Sequence, residues 1–177
     1  MKKIYYGKAV YDNKEIKAVI DVLKNSSLTL IDGPKVKKLE KTVSKLFGKK
    51  YGLMVNSGSS ANLLGLSSFN FKKGSEIITP NLTFSTTVAP IYQLGLTPHF
   101  IGVEKDKFIA DPTHIKKCIN KKTVAIMIPN LLGNICEWKK IRKIAKKNNL
   151  KVIEDSADTI GYKVNNKNLG NCSDIVT

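Results

Sequence analysis

The sequence predicts an α/β fold, a three-layer α/β/α arrangement around a mostly parallel sheet, and three observations carry that reading. From about residue 50 onward, short β-branched runs alternate with longer stretches of helical period, the signature of βαβ crossovers. The runs themselves, such as "TVAIMIP" (123–129) and "KVIED" (151–155), are apolar enough for strands buried between two helical layers. No internal repeat, low-complexity segment or linker interrupts the 177 residues, so one domain is expected.

Taken in order, residues 1–48 differ from the rest. They hold two amphipathic helices, roughly 14–24 and 34–47, joined by "NSSLTLIDGP". In the second, Val36, Leu39, Val43 and Leu46 recur at helical spacing while lysines fill the other face. This segment is expected to pack on the flank of the sheet or on a partner subunit. Strands are then predicted at 51–55, 76–79, 98–103, 123–129 and 151–155, each followed by a helical stretch except the last. The closing residues "SDIVT" read as a further strand just beginning, so the chain is expected to be the front part of a longer protein.

Composition narrows the function. The formal charge of +16 raises the question of nucleic acid or an anionic membrane. However, of the 30 basic residues only Arg142 is arginine, and the lysines are scattered over nearly every predicted helix. Nucleic-acid readers lean on arginine's bidentate fork, so no nucleic-acid partner is expected. Cys118, Cys136 and Cys172 are odd in number, widely spaced and without a CxxC pair, which indicates neither a disulfide framework nor a zinc site. The N-terminus "MKKIYYGKAV" lacks a signal peptide's apolar stretch, and no run approaches the roughly 18 apolar residues of a membrane helix. A soluble protein of the reducing cytoplasm is expected.

Four turns carry chemistry. "VNSGSSAN" (55–62) leads from a strand through Gly58 into a helical pattern. Such a turn offers free N–H groups and partial positive charge to a phosphate, with hydroxyls from Ser59 and Ser60 nearby, or it is simply a serine cap on a glycine turn. It matches neither a Walker motif nor GxGxxG. Phe84 in "PNLTFSTT" sits where the next strand ends, as a core residue or as a stacking surface for a planar ring. Asn130 in "PNLLGN" is placed to direct an amide into the same crevice, with Gly133 permitting a tight turn. "VIEDSAD" sets Glu154, Asp155 and Asp158 at the mouth of the last full strand. Glu154 reads as structural. Asp155 ends the strand at the edge where open α/β sheets bind ligands, with Asp158 near the same face if a helix follows. Capping a helix, holding magnesium and pairing with a protonated heterocycle are its three readings.

A phosphate turn, an aromatic and a strand-ending Asp together describe a site for pyridoxal phosphate. The stretches "VSKLFGKKYGLMVNSGSSANLL", "ITPNLTFSTTVAPIYQLGLTPHFIGVE" and "VIEDSADTIG" resemble the DegT/DnrJ/EryC1/StrS sugar aminotransferase family of fold-type I vitamin B6 enzymes, over essentially the whole chain. The resemblance implies pyridoxal or pyridoxamine 5'-phosphate as cofactor, a nucleotide-linked 4-keto-6-deoxy sugar as substrate, and a homodimer with composite active sites. It places Ser59 and Ser60 at the cofactor phosphate, Phe84 on the pyridine ring and Asp155 at the ring nitrogen, with Gly58 and Asp158 also expected among the cofactor-binding residues. It also divides the chain into the helical segment 1–48 and an incomplete cofactor-binding large domain at 49–177, without the C-terminal small domain.

Two departures refine the resemblance. Most aminotransferases of the family carry Gln or His three residues after the ring-nitrogen Asp, where this chain has Asp158. That acid, with "NSGSSANLL", "LTFSTTVAPI" and "NLLGN", is more similar to the 3-dehydrase branch, which makes precursors of 3,6-dideoxy sugars for surface polysaccharides and implies a reductase partner. The family's catalytic lysine, replaced by a histidine base in the dehydrases, would fall past Thr177. None of the lysines here matches it, and His99 and His114 lie in other segments. The expected function is therefore a nucleotide-sugar 3-dehydrase, with an aminotransferase or a non-catalytic cofactor-binding fragment as the alternatives, and the chain by itself is expected to be inactive.

Overall fold

A computed structural model of the protein describes residues 3–5, 7–26, 28 and 30–177. Ser27 and Thr29 of the expected inter-helical loop, and Met1, Lys2 and Tyr6 of the N-terminus, lie outside the described residues. Among the described residues the α-helices are α1 (Asn13–Asn25), α2 (Pro34–Leu46), α3 (Gly58–Ser67), α4 (Ser85–Gln93), α5 (Pro112–Cys118) and α6 (Trp138–Lys147). The strands are β1 (Glu76–Pro80), β2 (Thr97–Ile101), β3 (Thr123–Pro129), β4 (Lys151–Asp155), β5 (Lys163–Val164), β6 (Lys167–Asn168) and β7 (Ile175–Val176). β2-β1-β3-β4-β7 form one sheet with every pairing parallel. All carboxyl ends therefore meet at one edge.

The pleat sorts residues between two cores, because successive side chains of a strand point to opposite faces. Ile77, Ala125, Met127 and Ile153 pack with Leu66 of α3 and Ile91 of α4. Ile78, Ile126, Ile128 and Val152 pack with Ile115 of α5, Trp138 and Ile141 of α6, and Phe47. The central strands are thus buried on both faces, which is why their sequences run apolar without alternation. No helix among the described residues is long and apolar enough to cross a membrane.

The N-terminal helices behave unequally. α1 is closed by a capping box, with Asp12 accepting from Lys14 N–H and Glu15 accepting from Asp12 N–H. None of its residues is buried, and Ile16, Val19, Ile20 and Leu23 lie exposed. α2 begins at Pro34, suited to a first turn, and reaches the core through Val43.

Residues 51–55, expected as the first strand, join no ladder. Met54 N–H donates to Glu40 Oε1 at 2.9 Å instead. Tyr51 and Leu53 are each 77% exposed. A gap of about 480 Å³, lined by Tyr51, Leu53 and Val55 on one side and Ile175 and Thr177 on the other, separates the segment from β7. Apolar character alone does not make a strand where no edge lies within hydrogen-bonding reach. The structure also adds the β5–β6 hairpin, turned by Asn165 and Asn166 at φ 50° and 58°. Two positive φ angles are the requirement of a type I′ turn.

β7 is tied to the sheet's interior by charge. Arg142 of α6 donates both guanidinium nitrogens to Asp174, at 2.8 and 2.9 Å, and Val152 N–H adds a third bond at 2.8 Å. Burial pushes the Asp174 carboxyl up, but the Arg142 and Val152 donors outweigh it and hold the group below its ordinary value. A lowered carboxyl stabilises the fold above its unfolded-state pKa, and that stability is lost as pH falls through the folded value. Asp174→Asn is expected to cost on the order of 1–3 kcal/mol in urea unfolding at neutral pH. The gap between parent and variant should narrow below pH 3.8, the ordinary value; a gap that persists unchanged in acid refutes the assignment.

Candidate functional site

A crevice of about 340 Å³ opens at the carboxyl edge of the sheet, bordered by Gly58, Ser59, Asn62, Phe84, Thr87, Asn130, Leu132, Asp155 and Asp158. One wall is the start of α3. Ser57 caps this helix, its hydroxyl accepting from Ser60 N–H at 3.2 Å. Ala61 N–H returns to Ser57 O, which leaves the N–H groups of Gly58 and Ser59 without an acceptor among the described residues. The Ser60 hydroxyl is bonded to that of Ser57. A Cβ added at Gly58 would meet nothing within 4 Å, so neither packing nor backbone demands glycine there. The missing side chain leaves open space in front of two free donors and the positive end of a helix dipole, the makings of an anion cradle.

The opposite wall is the end of β4, where neighbouring acids face opposite layers. Glu154 points into the α6 layer and is fully buried; its Oε1 accepts from Asn130 Nδ2 at 3.1 Å and Ser156 Oγ at 3.0 Å. Its Oε2 has no partner among the described residues. Burial raises its pKa, outweighing the Ser156 and Asn130 bonds and the charge of Lys49. Asp155 points into the α3/α4 layer, 9% exposed. Its Oδ2 accepts from Asn62 Nδ2 at 3.0 Å and Thr87 Oγ1 at 2.8 Å. Its Oδ1 meets only Ala157 N–H, at 3.4 Å. No Lys, Arg or His pairs with Asp155 among the described residues.

Other expected site residues fall into place with differences. Phe84 stands at the N-cap position of α4, 68% exposed and bordering the crevice, so the core-packing reading does not hold. After Asp155 the chain makes successive turns, Thr159 N–H to Ser156 O and Tyr162 N–H to Thr159 O, and no helix follows the strand directly. Asp155 therefore caps no helix. Asp158 still borders the crevice, and its Oδ2 accepts from Leu132 N–H at 2.9 Å. Leu132 is held in the left-handed region at φ 55°, followed by Gly133 at φ 83°, so the tight turn expected at "PNLLGN" is present. Asn130 borders the crevice, but its amide is fully engaged inward. Its Nδ2 bonds Glu154 and Ser156, while its Oδ1 accepts from Cys136 N–H and Trp138 Nε1 at 3.2 and 2.9 Å. It braces the turn rather than offering donors to a ligand.

Asn62 and Thr87 were missed by the sequence reading. Each is buried, 3% and 0% exposed, inside a helical stretch. The available signal was a polar residue on the sheet-facing side of its helix, one turn after Gly58 in the case of Asn62. Among the described residues no group of three or more His, Cys, Asp or Glu side chains is placed to hold a metal ion.

The model for the DegT/DnrJ/EryC1/StrS aminotransferase family matches residues 10–177. A GDP-4-keto-6-deoxy-D-mannose 3-dehydratase of Yersinia pseudotuberculosis is 35% identical over 168 residues, 92% of this chain and 42% of that protein. The structure of Escherichia coli GDP-4-keto-6-deoxy-D-mannose-3-dehydratase with bound hydrated PLP superposes with a TM-score of 0.83 at 36% identity, covering 90% of this chain and 42% of that one. A UDP-4-amino-4,6-dideoxy-N-acetyl-beta-L-altrosamine transaminase of Helicobacter pylori is 32% identical over 96% of this chain and 45% of its own length. The chain thus spans less than half the length of these relatives, and its sheet is that of the fold-type I enzymes.

Glu154 supplies a test of the wall behind the crevice. An acid whose folded pKa is raised stabilises the fold below its unfolded value and loses that contribution as pH rises toward the folded one. Glu154→Gln keeps the acceptor for Asn130 and Ser156 and removes the titration. Thermal unfolding across the acid-to-neutral range should show the parent losing stability with rising pH relative to the variant. Parallel curves would refute a raised Glu154.

Proposed function

Because this chain belongs to the DegT/DnrJ/EryC1/StrS aminotransferase family, we propose that it binds pyridoxamine or pyridoxal 5'-phosphate in the crevice. In the whole protein, we propose, this site serves removal of the 3-hydroxyl from a nucleotide-linked 4-keto-6-deoxyhexose, on the way to 3,6-dideoxy sugars. The observation that carries the cofactor reading is Asp155. A largely buried carboxylate with two neutral donors and no cationic partner among the described residues lacks the counter-charge that burial calls for. A protonated ring nitrogen supplies it.

The remaining walls fit the same group. Gly58 and Ser59 N–H would hold the phosphate in the space that glycine leaves open, with the Ser59 and Ser60 hydroxyls beside it. Phe84 would cover one face of the ring and exclude water. Asp155 would keep the ring nitrogen protonated, and Asp158 would order the 130–134 turn over the crevice through Leu132 N–H. Bound there, the cofactor supplies an electron-withdrawing ring linked to the substrate carbon through nitrogen.

The 3-dehydratase reading draws on the relatives of that name at 35% and 36% identity and on Asp158 at the position where most aminotransferases of the family carry Gln or His. The Helicobacter pylori transaminase at 32% identity supports the second reading, transamination of a similar sugar. A homodimer belongs to the proposal, and the exposed apolar face of α1 at Ile16, Val19, Ile20 and Leu23 suits burial against another chain.

The whole protein, given a GDP- or dTDP-linked 4-keto-6-deoxyhexose with pyridoxamine 5'-phosphate, should yield a sugar lacking its 3-hydroxyl by mass spectrometry. Conversion of the 4-keto group to an amine, with glutamate consumed, would establish the aminotransferase reading instead. Asp155→Asn should lower turnover at least about a hundredfold in either case; undiminished turnover would sink the cofactor assignment.

A further inference from the structure

The hydrogen bonds around Asp155 are asymmetric. Both neutral donors, Asn62 Nδ2 and Thr87 Oγ1, go to Oδ2, while Oδ1 keeps nearly all its accepting capacity. We propose that Asn62 and Thr87 are positioning residues: they fix the Asp155 carboxylate so that its second oxygen meets the ring nitrogen of the ligand. This rests on the reading of Asp155 given above.

The orientation of Asn62 follows from its surroundings. Its Nδ2 lies 3.1 Å from Thr86 O as well as 3.0 Å from Asp155 Oδ2. Both are acceptors, so the reversed amide would set oxygen against oxygen twice. Its Oδ1 accepts from Thr177 Oγ1 at 2.5 Å. One amide therefore joins α3, the first turn of α4, the end of β4 and Thr177. The Thr87 hydroxyl has one proton and gives it to Asp155. Because both donors are neutral, they direct the carboxylate without cancelling the charge that the ligand cation is to meet.

Asn62 also lies four residues after Gly58 on α3, hence on the same helical face. The helix whose first turn forms the anion cradle carries, one turn on, the amide that orients the carboxylate. α3 thereby sets the span between the two ends of the ligand. A phosphate seated on Gly58 and Ser59 and a ring nitrogen facing Asp155 are measured against one rigid element.

The test compares two probes in the full chain: pyridoxamine 5'-phosphate, and its 1-deaza analogue, in which CH replaces the ring nitrogen. Affinities are read by calorimetry or ligand fluorescence. The parent should prefer the nitrogen-bearing ligand, and Asp155→Asn should abolish the preference. Asn62→Leu and Thr87→Val should each shrink the preference on the order of tenfold, leave affinity for the deaza analogue and for inorganic phosphate unchanged, and Thr87→Ser should restore it. A parental preference in both Asn62→Leu and Thr87→Val overturns the positioning role while the ring-nitrogen reading stands. A parent without any preference overturns the ring-nitrogen reading itself. If Asn62→Leu fails to fold, the Thr87→Val and Thr87→Ser pair decides alone, since neither changes the shape of a helix surface by more than one atom.

Discussion

The parallel pairing of β3 with β4 is the constraint on which the crevice depends. It sets Pro129 opposite Asp155 and Ile128 opposite Glu154, and Asn130 N–H extends the ladder one step further to Asp155 O. From that register the rest follows. Asn130 reaches Glu154 on the next strand and Ser156 just past its end, and its side-chain Oδ1 gathers Cys136 N–H and Trp138 Nε1 from the following turn and helix. A buried amide with every donor and acceptor matched leaves the turn little freedom. The strain of Leu132 at φ 55° persists because Asp158 and Asn130 hold the turn from both sides.

The same pleat explains how two adjacent acids acquire different characters. Glu154 enters a layer of Trp138, Ile141 and Phe47 and is pushed toward its neutral form. Asp155, one residue on, enters the layer of α3 and α4 and meets polar donors aimed at one of its oxygens. The single-residue alternation of a strand thus separates a structural acid from a functional one. Had the register slipped by one residue, the two environments would have been exchanged.

Much of this was legible in the sequence, for identifiable reasons. β3 and β4 are legible to the residue because strands buried on both faces leave continuous apolar runs, and α1 and α2 to within a residue or so at each end because amphipathic period is local. What needed the fold was anything that depends on a neighbour. Residues 51–55 have the composition of a strand, yet no edge lies within reach. Asn130 has the composition of a ligand donor, yet Glu154, Ser156, Cys136 and Trp138 engage it fully. Asn62 and Thr87 gave no local sign of serving Asp155, from which they stand 93 and 68 positions away. The β5–β6 hairpin leaves little trace in the sequence beyond its paired asparagines, because its strands are only two residues long.

Those sequence separations have a consequence for assembly. The anion cradle at Gly58 is complete as soon as α3 forms, since its cap and free donors lie within a few residues of each other. Its counterpart at Asp155 exists only after β4 has been laid beside β3 and the chain between them closed into a long loop. A ligand that touches both ends acts as a non-covalent staple across that loop, favouring the closed chain by mass action. Ligand affinity and the stability of the closed chain are then linked, each favouring the other.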